Sequence, residues 1–116
     1  MKNENEKPRP TWKHFDVQVS PVVKRILSSP KANEHISKEI DLAISEEDEY
    51  MIFRFAHHLN VQLESLPFAG GAVPFNVSGK VKNIITWLDG IGYFEGQTDK
   101  VIQDDINWIV YNIELP

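Results

Sequence analysis

A chain of 116 residues, 41% hydrophobic and 25% charged, has the composition of one folded domain large enough to bury a core without staples. Without a cysteine it can form no disulfide, thiolate zinc site or cysteine nucleophile, and no apolar run reaches the ~18 residues that a membrane span requires. A formal charge of −5 disfavours a phosphate backbone as partner and favours a basic surface.

That charge is unevenly spread. Residues 1–31 are net basic through Lys2, Lys7, Arg9, Lys13, Lys24, Arg25 and Lys31. Residues 32–77 are strongly acidic, with Glu34, Glu39, Asp41, Glu46, Glu47, Asp48, Glu49 and Glu64 against Lys38 and Arg54. The polar start "MKNENEKPRP" lacks the apolar centre of a signal peptide, so the expected location is the cytoplasm. Its two prolines and lack of periodicity mark residues 1–10 as a flexible arm ahead of a single domain over 11–116.

In chain order, Phe15, Val17 and Val19 alternate with polar residues, the period of a strand. "SPVVKRILSSP" then reads as a short helix: Ser20 caps it, Pro21 takes its first position, and Val22, Val23, Ile26 and Leu27 form its buried stripe. A second helix is expected over "NEHISKEIDLAI", capped by Asn33, with Ile36, Ile40, Ala43 and Ile44 facing inward.

"SEEDEYMIFRFAHHLN" starts with a capping-box variant, Ser45 and Asp48, and puts Glu46, Glu47, Asp48 and Glu49 in the first turn, where the helix dipole favours negative charge. Its inward stripe is Ile52, Phe55, Ala56 and Leu59, with Tyr50, Arg54 and His57 gathered on the other side; the β-prone "YMIFRF" leaves a strand as the alternative. Asn60 ends the helix and "VQLESL" follows as a strand, then "PFAGGAVPFN" as a Gly/Pro loop.

The sharpest helical pattern is "SGKVKNIITWLDG". Ser78 stands as the cap, Val81, Ile84, Ile85 and Leu88 repeat at i, i+3, i+4 and i+7, and Gly90 is the stop. "IGYFEG" next reads as a strand, "QTDKVIQDD" as a connection, and "INWIVYNIEL" as an inner strand with apolar groups on both faces. The expected fold is therefore α+β, three to five mainly antiparallel strands on three or four helices, ending helix–strand–loop–strand.

Helix–strand–loop–strand is also the second half of a winged-helix domain. In that alternative Lys80, Lys82, Asn83 and Thr86 project from a recognition helix toward bases and phosphates. The would-be wing argues against it, since it carries Glu95, Asp99, Asp104 and Asp105 against Lys100 alone, so nucleic acid is the less favoured partner.

Catalytic and cofactor readings fare worse. "NVSGKV" echoes a phosphate-binding loop, but Val81 stands where Ser or Thr is needed and Pro74 where the first glycine should be. His57 and His58 diverge by roughly 100° on a helix, so neither they nor His14 and His35 make a zinc motif. No nucleophile, base and orienting group can be named together, and no catalytic residue, metal or cofactor is assigned.

The expectation is a non-catalytic acidic binding protein, monomeric or homodimeric. It would act by protein–protein contact through Glu46, Glu47, Asp48, Glu49, Tyr50, Arg54, His57 and Phe68. Such a domain would block a basic, nucleic-acid-handling partner in the manner of toxin-immunity or phage counter-defence inhibitors, or serve as a regulatory adaptor. Trp12, Tyr50, Trp87 and Tyr93 are the aromatics whose burial the pattern does not demand, and each is either a core filler or an interface anchor.

Overall fold

In the computed structural model, residues 20–44, 46–67 and 72–112 are described. They form an α+β domain with four α-helices and a three-stranded antiparallel sheet: α1 (Pro21–Leu27), a 3-10 turn (Pro30–Asn33), β1 (His35–Leu42), α2 (Glu46–His58), β2 (Gln62–Ser65), β3 (Val73–Lys80), α3 (Val81–Gly90) and α4 (Asp99–Val110). The sheet order is β1-β3-β2. The expected strand over 15–19, the N-terminal arm, Trp12, the Ser45 cap and Phe68 lie outside the described residues.

Helices α1 and α2 follow their sequence signals. Ser20 Oγ accepts from Val23 N–H at 3.1 Å, fixing the start of α1. On α2, Ile52, Phe55 and Ala56 are buried, and Asn60 takes φ 59° to end the helix in the left-handed conformation that asparagine tolerates.

Three expectations are corrected. Residues 33–44 do not form a helix; His35–Leu42 is the edge strand β1. Ile36 and Ile40 are four apart, a spacing that suits one helical turn and two strand repeats equally, and pairing with β3 decides between them. The Gly/Pro loop is shorter than read, because Val73–Lys80 is the central strand β3 with Phe75 and Val77 inward. Pro74 is tolerated there because it sits just past the end of β2, where its carbonyl accepts from Leu66 N–H at 3.0 Å.

The third correction concerns the C-terminal half, which is helix–turn–helix rather than helix–strand–loop–strand. Residues 91–96 are successive turns, with Gly92 and Gly96 at φ 87° and 78° and Tyr93 N–H bonded to Leu88 O at 2.9 Å. Residues 99–105 of the connection and 106–110 of the expected final strand form α4, started by Thr98, whose hydroxyl accepts from Val101 N–H at 3.3 Å. Ile102, Ile106, Ile109 and Val110 are its buried stripe, at i, i+4, i+7 and i+8. Ile106, Ile109 and Val110, which fall on both faces of the expected strand, share that one stripe. No wing exists among the described residues.

Helix α3 is the centre of the core. Val81, Ile84, Ile85, Trp87 and Leu88 are all fully buried. Ser78 is not its cap but belongs to β3; the chain passes from strand to helix at Lys80, and Val81 N–H is satisfied by Glu34 O at 2.8 Å. Trp87 is a core filler, its indole N–H donating to Ile52 O at 3.1 Å. Inward residues of the sheet (Ile40, Leu42, Phe75, Val77) join this cluster with side chains from all four helices. The opposite sheet face is polar: Ser78 Oγ donates to Ser37 Oγ at 3.3 Å, and Ser37 Oγ to Asn76 Oδ1 at 3.2 Å.

Candidate functional site

Helix α2 presents the acidic and aromatic surface anticipated from sequence. Glu47, Asp48 and Glu49 are exposed in its first turn, and Glu46 opens the helix. Tyr50 is 68% exposed, the most open of the large hydrophobic side chains described. Arg54 braces it from the next turn, its Nη1 donating to the tyrosine hydroxyl at 3.1 Å and its guanidinium lying 6.0 Å from the ring centroid.

Tyr50, Phe53, Arg54 and His57 stand at i, i+3, i+4 and i+7, so they share a stripe. That stripe borders a shallow groove of about 340 Å³ between α2 and β2, lined by Phe53, His57, Val61, Leu63 and Phe75 among others. Phe53 and Phe75 meet edge to face, centroids 5.6 Å apart and rings at 83°, an aromatic floor in which Phe53 is half-buried and Phe75 buried. The expected site is thus an acidic turn, a braced tyrosine and an apolar groove along one helix. Phe68 lies outside the described residues.

The alternative set is also brought together in part. Lys80, Lys82 and Asn83 line a pocket of about 270 Å³ with His35, Asn60, Gln62, Ser78 and Gly79, where β3 turns into α3. Thr86 is half-buried and does not line this pocket. Because α3 gives most of its circumference to the core, these side chains rim a pocket instead of projecting from a free helix.

A third region was missed. Between β1 and the C-terminal half of α4 runs an open groove of about 860 Å³, lined by Ile36, Lys38, Glu39, Asp41, Tyr93, Trp108 and Asn112 among others. Lys38 is an inward-pointing charge on an edge strand, a position that discourages pairing with another strand. It escapes the core by crossing to α4, where its ammonium sits 4.0 Å from the Trp108 ring centroid and donates to Asn112 Oδ1.

Two acids bear on Tyr93, one of the lining residues. The Tyr93 hydroxyl is held above its ordinary 10.0, first by burial and then by the charges of Asp105 and Asp41. Asp105 is itself raised above 3.8 by burial and by neighbouring Asp104. Tyr93 stands out in the sequence as a surplus aromatic and Asp105 as an acid of the would-be wing; Lys38, Asp41 and Trp108 carry no signal for this groove, because the topology alone assembles it.

Among the described residues no three His, Cys, Asp or Glu side chains gather as a metal site, and no helix is long and apolar enough to cross a membrane. Compared with protein-family models, curated proteins and solved structures, the chain has no significant match.

Proposed function

We propose that this protein is a non-catalytic binding domain that blocks or regulates a protein partner with a basic, nucleic-acid-handling surface, an inhibitor of the immunity or counter-defence type. The observation that carries this reading is Tyr50. A tyrosine so exposed yet braced by Arg54, beside an open aromatic groove, has the character of an interface anchor: large contact area at little entropic cost. The acids at the start of the same helix surround it with negative charge suited to steering a basic partner. One or two of them would suffice to complement the helix dipole, so the excess requires another purpose.

Reading of duplex DNA by Lys80, Lys82 and Asn83 is the weaker alternative, since the strand pair that would form a wing is a turn and a helix.

The test is binding kinetics against the partner recovered by affinity capture from the native cell. Glu47→Lys with Glu49→Lys should slow association about tenfold or more at low salt and leave dissociation nearly unchanged, because exposed charges act on encounter. Tyr50→Ala should instead speed dissociation roughly 10–100-fold. Folded variants with wild-type rates in both phases would refute the α2 surface as the interface.

A further inference from the structure

The two outer strands of the sheet are built differently. β1 carries Lys38 on its inward side, a charge that guards the edge against a further strand, whereas the inward positions of β2 are Leu63 and Ser65, opposite Val77 and Phe75. The backbone of β2 is also oriented for pairing. Leu66 N–H donates to Pro74 O at 3.0 Å, and the register sets these two residues opposite each other, so Glu64 and Gln62 likewise turn their backbone groups toward β3. Those of Leu63 and Ser65 therefore face the outer edge.

Beside that edge lies the groove between α2 and β2, lined by Phe53, His57, Leu63 and Phe75. An inward side chain of an added strand would enter it, next to Leu63 and over the Phe53–Phe75 pair. Charge decides what stands next to that side chain. Glu64 is exposed on the outward face of β2. Phe53 is level with Ser65, since Phe75 touches the first and is paired with the second, and α2 and β2 run in opposite directions from the Asn60 turn. Glu49 is exposed one turn before Phe53 on the same stripe, about 6 Å along the helix, close to the length of two strand residues at ~3.4 Å each. Arg54 is the opposing charge on this face, and it is held at the Tyr50 hydroxyl.

We propose that β2 receives an extended segment of the protein partner as an added antiparallel strand. Apolar side chains stand opposite Ser65 and Leu63, a lysine or arginine between them opposite Glu64, and a second basic residue two positions toward the segment's N-terminus, beside Glu49. This deepens the reading above and rests on it, since it takes the partner to be a protein with a basic surface. The backbone bonds to Leu63 and Ser65 hold the segment, while the groove and the two acids select its side chains. Other occupants fit less well. An acidic segment would set a carboxylate opposite Glu64, and an apolar helix would cover the edge without bonding to Leu63 and Ser65. A second copy of this chain whose Leu63 pairs with Ser65 would bring the two Glu64 side chains face to face.

The experiment is a proton–nitrogen NMR titration of the full chain with acetyl-Lys-Ser-Val-Lys-Val-Ser-amide in roughly 0.1 M salt. The expected result is saturable shifts at the backbone of Leu63, Glu64 and Ser65 and at Phe53, with roughly millimolar affinity. The same peptide methylated on both valine nitrogens keeps every side chain and loses the strand hydrogen bonds, so it should bind about tenfold more weakly or worse. Glutamate in place of the central lysine should weaken binding about threefold or more. Leu63→Lys gives β2 the inward charge that guards β1 and should abolish the shifts. The peptide comparisons need no variant, so misfolding of Leu63→Lys cannot spoil them.

Equal binding of the methylated peptide, shifts confined to another surface, or none with the parent peptide would overturn the proposal. So would self-association through β2, seen by sedimentation of the peptide-free chain. None of these results touches the partner kinetics of the α2 variants. Conversely, wild-type kinetics of Glu47→Lys with Glu49→Lys and of Tyr50→Ala would defeat the α2 interface and leave a positive titration at β2 standing.

Discussion

Trp87 and Trp108 lie on two helices of the same small domain and are treated in opposite ways. Trp87 is fully buried in α3 as part of the apolar core cluster, and its one polar atom is satisfied by Ile52 O. Trp108 is half-buried on α4, with a lysine over its face, and it lines an open groove together with Glu39 and Asp41. The first environment is dry and closed; every group in it is paid for within the fold. The second is open to water and holds charged groups. That contrast separates the residues that hold the fold from those that solvent can reach.

The sharpest way to break the comparison is to truncate both tryptophans. Trp87→Ala should destabilise the protein by about 3–5 kcal/mol through lost burial and the cavity left behind. The orphaned Ile52 carbonyl adds to this, by ~1–3 kcal/mol if water cannot reach it. For a small domain that approaches the whole stability. Trp108→Ala should cost only ~1 kcal/mol, because its ring is already partly hydrated and the lost cation–π contact is worth less than that at an exposed site. Urea unfolding monitored by circular dichroism gives both values. Equal losses would mean that the wall of the groove between β1 and α4 is core.

A second substitution sharpens where the dry interior ends. Gly79 sits in β3 at φ 153°, and a Cβ there would lie 3.2 Å from the Asn60 carbonyl oxygen and 3.6 Å from Val61 Cα. The turn between α2 and β2 is thus pressed onto the central strand at a point where a side chain fits only if the Asn60 carbonyl gives way slightly. Gly79→Ala should cost about 1–3 kcal/mol from backbone strain and that contact, measured by the same unfolding curves. Little or no loss would show that the Asn60 turn yields and that the floor of the Lys80/Lys82 pocket is soft.

These two regions also differ in how far the sequence discloses them. The stripe of α3 is legible because Val81, Ile84, Ile85 and Leu88 fit one period and no other, and the Tyr50/Arg54/His57 face of α2 is legible for the same reason. β1 was not, since Ile36 and Ile40 satisfy both periods and the polar residues between them decide nothing. β3 was hidden by the Gly/Pro-rich sequence around its start; the loop preference of Pro74 is overridden once the strand is flanked on both sides. In α4 the alternation of Ile106, Trp108 and Val110 masked the longer stripe that begins at Ile102. The groove inherits all of these difficulties. It needs Lys38 from a strand read as helix, Trp108 from a helix read as strand, and Tyr93 from a turn read as strand.

The smallest expected effect probes a half-buried charge directly. Burial and Asp104 raise the carboxyl of Asp105 above its ordinary 3.8, and its charge in turn bears on the Tyr93 hydroxyl. A group whose folded value is raised keeps its proton in the native state after the unfolded chain has released it. Between 3.8 and the raised value the native state therefore binds more protons, and stability from this group falls as pH rises through that window. Above the window the loss is complete; below 3.8 it is absent. Asp105→Asn keeps the shape and removes the charge, so its melting temperature should exceed that of the wild type slightly at neutral pH, with the difference shrinking toward zero as pH approaches about 4. The effect is modest because the group is largely solvated and water screens it. An offset that is the same at neutral pH and near pH 4 would mean that Asp105 titrates normally. Burial of Asp105 would then carry no electrostatic cost.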